Sequence, residues 1–307
     1  MARPATFFVR LCALVVLGMA GPSVRAAGDS GTFAVISDIH FDPFARPEDQ
    51  ATSRIGEDTN QALLTSGIAA FARAMASADF AIVPGDLLAH GFNAKAAAAL
   101  GVDPSSPAVD DMAAKTTQFV ARALAEALGG TPAVVALGNE DSKCGDYKIE
   151  PGGPYLAATR EAVRRLVGGE RLDADFAETW AAAGYYAARH PTVANGMIVM
   201  LNDVLWSPRY QDTCGSNGLV AGEAMMSWLS GKLARQRAAG GRVWMVHHIP
   251  WGIDAYSTLG AKAASCPAKV VSFLKEPFAS ELRALLMEYR DVIQASFSGH
   301  TLSLIHI

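Results

Sequence analysis

Residues 80–90 read Phe80-Ala81-Ile82-Val83-Pro84-Gly85-Asp86-Leu87-Leu88-Ala89-His90: an apolar run closes at proline and glycine, and an aspartate and a histidine follow at once. An apolar run bounded by turn residues reads as a strand. The arrangement recurs along the chain. Phe33–Ser37 is followed by Asp38 and His40, and Val134–Leu137 by Gly138, Asn139, Glu140 and Asp141. Trp244-Met245-Val246 is followed by His247 and His248, and Ala295–Ser298 by Gly299 and His300. Five strand ends thus deliver oxygen and nitrogen ligands to one edge of a sheet, and in open α/β sheets ligands bind outside the carboxyl ends of the strands. Of seven histidines, five stand at these ends or just beyond; the others are the isolated His190 and His306 near the C-terminus. A lone Asp-x-His is more often a turn with a surface imidazole than a metal site; the ordered set is what carries weight. Glycine before Asp86, Asn139 and His300 lets the backbone turn sharply and approach an ion.

Working outward, the strands expected are Thr32–Ser37, Phe80–Pro84, Ala133–Leu137, Met197–Asn202, Val243–His247 and Ile293–Phe297. Gln61–Ala78, Asp110–Leu128, Tyr155–Val167, Gly222–Ala238 and Phe278–Tyr289 carry helical spacing, with Gly129 and Gly168 as stops. Alternation of the two predicts an α/β fold. Asp103–Pro107 and Glu150–Pro154 read as loops within one domain. The 307 residues hold 26 Lys and Arg against 30 Asp and Glu, a net charge of −4, with 50% hydrophobic residues and a mean hydropathy of +0.18. That apolar fraction excludes disorder, and the absence of basic excess excludes generic binding to duplex nucleic acid.

Arg3 and Arg10 precede the apolar run Leu11–Ala20 and the small-residue stretch at Val24-Arg25-Ala26, so residues 1–26 read as a signal peptide and the protein as secreted or periplasmic. The run is too short to span a bilayer, and stable membrane insertion is not expected. Export makes Cys144, Cys214 and Cys266 candidates for a disulfide, without selecting the pair. At the other end, Leu302-Ser303-Leu304-Ile305-His306-Ile307 can be back-translated as CTG TCT CTT ATA CAC ATC, which resembles the mosaic end of a transposase adapter. Residues 302–307 are therefore expected to be non-native, leaving 27–301 as one domain incomplete at its C-terminus.

The order Asp-x-His, Gly-Asp, Gly-Asn, His-x-Pro, Gly-His resembles the calcineurin-like metallophosphoesterases over nearly the whole mature chain. Within them, Gly85–His90, His248-Ile249-Pro250 and Leu201-Asn202-Asp203-Val204-Leu205-Trp206-Ser207 look like the acid sphingomyelinase-like phosphodiesterases. The resemblance implies a β-sandwich flanked by helices in four layers (αββα). It implies one metal held by Asp38, His40 and Asp86 and a second by Asp86, Asn139, His248 and His300. Imidazole and carboxylate mixtures suit zinc, iron or manganese, and zinc is the expected ion of the family. The family's second histidine, of Gly-His-x-His, falls at Leu302, so this chain is expected to bind its first metal poorly.

A phosphodiester is an anion that water attacks reluctantly. Two cations polarise its oxygens and yield a bridging hydroxide in line for attack. Many relatives protonate the leaving group from a His after the Asn, where this chain has Glu140. A carboxyl beside two dications is a poor acid, so His90 is expected to contact phosphate or protonate the leaving group, with Asn139 beside it. Because alternate strand residues face opposite ways, His248 points into the site and His247 is second-shell or packed. Asp141 reads as a turn or outer hydrogen-bond partner. Trp206, Tyr210, Trp251 and Tyr256, with Asn202 in the sphingomyelinase-like stretch, are substrate-side candidates, although core filling explains the aromatics nearly as well.

Acid sphingomyelinase carries an added saposin-type domain that handles lipid, whereas here the first strand begins almost directly after the expected signal peptide, which lowers the expectation of a lipid substrate. Soluble phosphodiesters or nucleotide phosphoanhydrides are thus the expected substrates. A purple-acid-type phosphatase would need tyrosine at Ala89, and no Gly-x-Ser-x-Gly elbow marks a serine hydrolase. The alternative is a metal- or nucleotide-binding protein on the same fold, silent because Glu140 replaces the acid.

Overall fold

The computed structural model describes residues 31–46, 51–215, 217–262 and 265–301. The expected signal peptide and the expected tail after Thr301 lie outside the described residues. β1 (Phe33–Val35), β2 (Phe80–Val83) and β3 (Ala133–Val135) form a parallel sheet in that order. β4 (Tyr186–Arg189), β5 (Gly196–Met200), β6 (Arg242–Val246) and β7 (Ile293–Phe297) form a second sheet, antiparallel only between β4 and β5.

The alternation of side chains across a strand explains the layering. From the first sheet, Phe80, Ile82 and Val134 join the core shared with the second sheet, and Ala81, Val83, Ala133 and Val135 join a separate core beneath helices. That second core is filled by Leu64, Phe71 and Met75 of α1 (Gln61–Met75) and by Val120, Leu124 and Leu128 of α3 (Pro107–Leu128), which follows the short α2 (Phe92–Leu100). α4 (Pro154–Val167) packs on α3 and on α5 (Phe176–Ala183). On the far side, Met225, Leu229 and Leu233 of α6 (Gly218–Ala238) and Phe278 of α9 (Phe278–Glu288) cover the second sheet; α7 (Ala255–Gly260) and α8 (Cys266–Lys269) lie in the loop before α9. The four layers αββα result. Phe33 knits the two sheets, its ring centroid 5.4 Å from Phe80, 5.4 Å from Trp244 and 5.2 Å from Phe297. The buried Tyr186 hydroxyl satisfies the free edge of β3, accepting from Val135 N at 3.0 Å and donating to Val135 O at 2.9 Å.

Helix termini follow their capping chemistry. Asn60 accepts from Leu63 N at 2.9 Å, Ser106 precedes proline at the start of α3, and Gly129 ends it at φ 57°. β4 was not expected, because Tyr-Ala-Ala-Arg carries little strand propensity and pairs only because β5 lies beside it. α2 and α5 also escape the periodicity, the first being alanine-rich on every face and the second only eight residues long. Expected strands run past the observed ladders at Ser37, Pro84, Leu137, Asn202 and His247, where the chain leaves the sheet toward the ligand loops.

His190 follows β4 and is 6% exposed, edge-on to Trp244 at 4.5 Å. Its Nδ1 accepts from Thr192 N and Val193 N, and burial pushes its pKa down to about 4. The unfolded chain therefore takes this proton first, so stability is lost as pH falls from about 6.5 toward about 4. His190→Asn keeps an acceptor near the Nδ1 position and removes the titration. Urea unfolding at pH 7.5 and 4.5 should show a smaller acid loss in the variant, by about 2 kcal/mol; equal losses would refute this account.

Candidate metal centre

Six side chains singled out from the strand ends gather at one edge of the sandwich: Asp38 and His40 after β1, Asp86 after β2, Asn139 after β3, His248 after β6 and His300 after β7. The turns are tight enough that Asp38, His40, Asp86 and His300 take positive φ (53°, 46°, 56° and 67°), which costs a non-glycine residue about 1–3 kcal/mol. Pairing that continues beyond the ladder offsets this, with Asp38 N on Gly85 O at 3.0 Å and His40 N on Asp86 O at 2.9 Å. Gly85, at φ 110°, makes the turn expected of it, whereas Gly138 and Gly299 answer a different need. A Cβ on Gly138 would collide with the Asp86 carboxylate, and one on Gly299 with Ser37 Oγ, so it is neighbouring loops that require glycine.

Two buried carboxylates hold the loops. Asp141 accepts from the backbone N–H groups of Asp86 (2.8 Å), Leu87 (2.7 Å), Leu88 (3.2 Å) and Gly138 (2.9 Å), joining the ends of β2 and β3. Burial, and then the Asp86 charge, push its pKa up to about 6. Asp203 accepts from His248 N at 3.3 Å, Ile249 N at 3.1 Å and Trp251 Nε1 at 3.1 Å, and its Oδ2 lies 2.9 Å from His247 Nδ1.

Lone pairs then converge. His248 Nδ1 faces the Pro84 carbonyl at 3.0 Å, the arrangement of a donating N–H, which leaves Nε2 bare. Around Nε2 stand Asn139 Oδ1 at 3.0 Å, Asp86 Oδ2 at 3.1 Å and His300 Nδ1 at 3.2 Å. One proton cannot serve three acceptors; a cation can. His40 repeats the pattern, with Nδ1 on Leu88 O at 3.1 Å and Nε2 3.5 Å from Asp86 Oδ2. Asp38 Oδ1 is buried without a hydrogen-bond partner. Asp38, His40 and Asp86 form one group of potential ligand atoms within 4.8 Å of one another, and Asp86, His248 and His300 a second, so Asp86 belongs to both. The residues fit two cations. Without them, burial would lower the His248 pKa, but the Asp86 carboxylate raises it to about 10; burial would raise Asp86, but His248 and then His40 hold it well below the usual carboxylate range.

His90 is exposed and stacks on His40 with ring centroids 4.0 Å apart. Its Nδ1 lies 2.6 Å from Asp58 Oδ1; this hydrogen bond, against burial, raises the imidazole pKa. Lys95 Nζ bonds Asp58 and Asp42. These groups and Phe44 line a cavity of about 810 Å³. Glu140 is buried, accepts from Gly91 N at 3.3 Å, and has its pKa pushed up to about 8 by burial, then by Asp146 and Asp86.

Other candidates lie elsewhere. Asn202 is wholly buried and donates to Ala183 O, and Trp206 is wholly buried, donating to Gly222 O and stacking on Phe278. Both belong to the core and cannot touch a substrate. His247 is packed, its ring 3.8 Å from that of Trp251 and its Nε2 2.8 Å from Ser296 Oγ. Trp251 is thereby committed to His247 and Asp203; Tyr210 donates to Ile149 O, and Tyr256 is 91% exposed. Asp58, Asp146 and Tyr147 escaped the sequence reading, since none directly follows an expected strand; Asp203 does follow the expected strand Met197–Asn202, but was not singled out as a site residue. Tyr147 OH lies 3.0 Å from His300 Nε2, and Asp146 Oδ1 accepts from Asn139 Nδ2 at 2.8 Å. The Asp-Val-Leu-Trp run after Asn202 was the one signal that could have found Asp203. Cys144 is disulfide-bonded to Cys214.

A family model described as calcineurin-like phosphoesterase matches residues 31–304. The chain is similar to sphingomyelinase phosphodiesterase D of Dictyostelium discoideum, 22% identical over 260 residues that cover 83% of this chain and 49% of the relative. It thus spans about half the length of that curated relative. Among solved structures it is similar to a dimetal phosphatase from Danio rerio, with a TM-score of 0.49 and 13% identity, covering 88% of this chain and 81% of that one.

Proposed function

Because the chain belongs to the calcineurin-like phosphoesterase family, we propose that it is an exported, metal-dependent phosphodiesterase acting on a soluble phosphodiester or nucleotide. The observation that carries this reading is the convergence of ligand-type nitrogens and oxygens around Asp86, flanked by the unpartnered Asp38 Oδ1. Asp38, His40 and Asp86 would hold one divalent cation, and Asp86, Asn139, His248 and His300 the other, zinc being favoured over iron or manganese. Two such cations supply charge stabilisation for the phosphoryl oxygens and an activated water.

The chain's own side chains do the rest. Asp58 fixes the His90 ring by its hydrogen bond at 2.6 Å and favours the charged imidazole, leaving Nε2 as the donor toward a phosphoryl or leaving oxygen. The 810 Å³ cavity beside His90 has room for the leaving group. His90→Ala should then cost about 100-fold or more in kcat with an alkyl leaving group, and less than about tenfold with nitrophenolate, which needs no acid. Equal losses on a nucleoside methyl phosphodiester and on bis(p-nitrophenyl) phosphate would count against His90 as the acid.

Export is supported by the N-terminal pattern and by the Cys144–Cys214 disulfide. Among the described residues no helix is long and apolar enough to cross a membrane. The test is hydrolysis of bis(p-nitrophenyl) phosphate by the chain and by its Leu302→His variant, with and without added zinc or manganese. Turnover that chelator abolishes and Leu302→His enhances supports the reading. Two metals bound per chain without turnover would instead favour the silent binding protein, to which Glu140 in the place of histidine lends its weight.

A further inference from the structure

Beside Tyr147, on the Asn139–His300 side of the site, stands the exposed cation Arg209. Its guanidinium carbon lies 4.6 Å above the centroid of the buried Tyr147 ring, whose hydroxyl meets His300 Nε2. The support beneath it is built at several points. Tyr147 N bonds Asn139 O at 3.1 Å, Gln211 N bonds Tyr147 O at 3.0 Å, and Arg209 N bonds Ser207 Oγ at 3.1 Å. The Cys144–Cys214 disulfide ties the two loops together just beyond. Arg209 attracts Asp146 electrostatically, yet among the described residues no carboxylate comes within ion-pair distance of its guanidinium. The basic group on the other side, Lys95, is by contrast already committed to Asp42 and Asp58.

A planar guanidinium braced on an aromatic face, one of its donors meeting the Tyr147 hydroxyl and the rest free of any carboxylate among the described residues, suits the oxygens of a phosphate or carboxylate. The carboxylates nearby would repel a second anionic group on the substrate, and Arg209 is the side chain that offsets this. We propose that Arg209 determines specificity by receiving a second anionic group next to the scissile phosphate, so that the preferred substrates are nucleoside-diphosphate-type phosphoanhydrides over diesters of single charge. This rests on the hydrolase reading above. The α-phosphorus of such a substrate carries two oxygen substituents, as a diester does. Water's oxygen bonds to that phosphorus, the bond to the bridging oxygen breaks, the departing phosphate keeps the bonding pair, and one proton of the water passes to solvent.

The experiment compares kcat/KM for ADP and for bis(p-nitrophenyl) phosphate in the parent chain, in Arg209→Gln and in Arg209→Lys, with zinc or manganese added and in both Leu302 and Leu302→His backgrounds. Arg209→Gln is expected to lower the ADP value about 10- to 100-fold more than the diester value, chiefly through KM, as loss of a charge-assisted pair would. Arg209→Lys, which keeps the charge without the fork, should fall between. Equal factors on both substrates would overturn the proposal, as would a parent chain that cleaves the diester but not ADP; in that case the hydrolase reading stands alone. Turnover of neither substrate would remove both.

Discussion

Replacing Asp86 with asparagine is expected to lower hydrolysis of bis(p-nitrophenyl) phosphate by about three orders of magnitude, because several kcal/mol of transition-state stabilisation depend on the cations this carboxylate would hold. Asp86 Oδ2 lies 3.1 Å from His248 Nε2 and 3.5 Å from His40 Nε2, so one oxygen faces both halves of the site, while Oδ1 accepts from Glu140 N at 2.9 Å. Asparagine keeps the size and one acceptor. It removes the charge that would offset the mutual repulsion of two dications, and it can turn an N–H toward the bare imidazole nitrogens, occupying lone pairs that a cation would need. In the Leu302→His background, bound metal measured by mass spectrometry should fall from two per chain to one or fewer. A variant that retains both metals and its turnover would show that Asp86 is not the shared ligand.

Asp203→Ala is expected to destabilise the protein by about 3–5 kcal/mol, the cost of taking one partner from a buried charged network. Two backbone N–H groups, the His247 ring and the Trp251 indole would lose their acceptor inside the protein. For a chain of this size the melting temperature should drop on the order of 10 °C. Since His248 N is one of the stranded donors, metal affinity should also fall, by about 10- to 100-fold. Asp203→Asn, which keeps an acceptor, should lose less of both. Calorimetry showing a shift below about 2 °C for the alanine variant would mean that the loop after β6 is held by something else.

The donor side chains that gather at the sheet edge were legible because each comes soon after a strand, where a local pattern of apolar run, turn residue and donor can be read without knowing which strands are neighbours. The same locality separated His248 from His247, since strand alternation sends adjacent side chains to opposite faces. Reading failed where the partner is remote in sequence. Asp58, which follows no strand, meets His90 across 32 residues, and Asp203, although it follows β5, meets His248 across 45. Asn202 and Trp206 misled for the converse reason, because adjacency to a ligand-like motif says nothing about which way a short helix turns its side chains.

By itself the amino-acid sequence determined the alternating α/β architecture and the donor set at the strand ends, because periodicity and turn chemistry act over a few residues and need no tertiary partner. The family resemblance implied two sheets and a shared Asp86; only the tertiary structure decided which strands pair in each sheet, that Cys144 pairs with Cys214, and that Arg209 stands braced on Tyr147 with no carboxylate partner among the described residues. Each of those depends on the packing of segments tens of residues apart, whose meeting is set by the burial of Phe33, Phe80 and Trp244 between the sheets and by no signal local to the residues that meet.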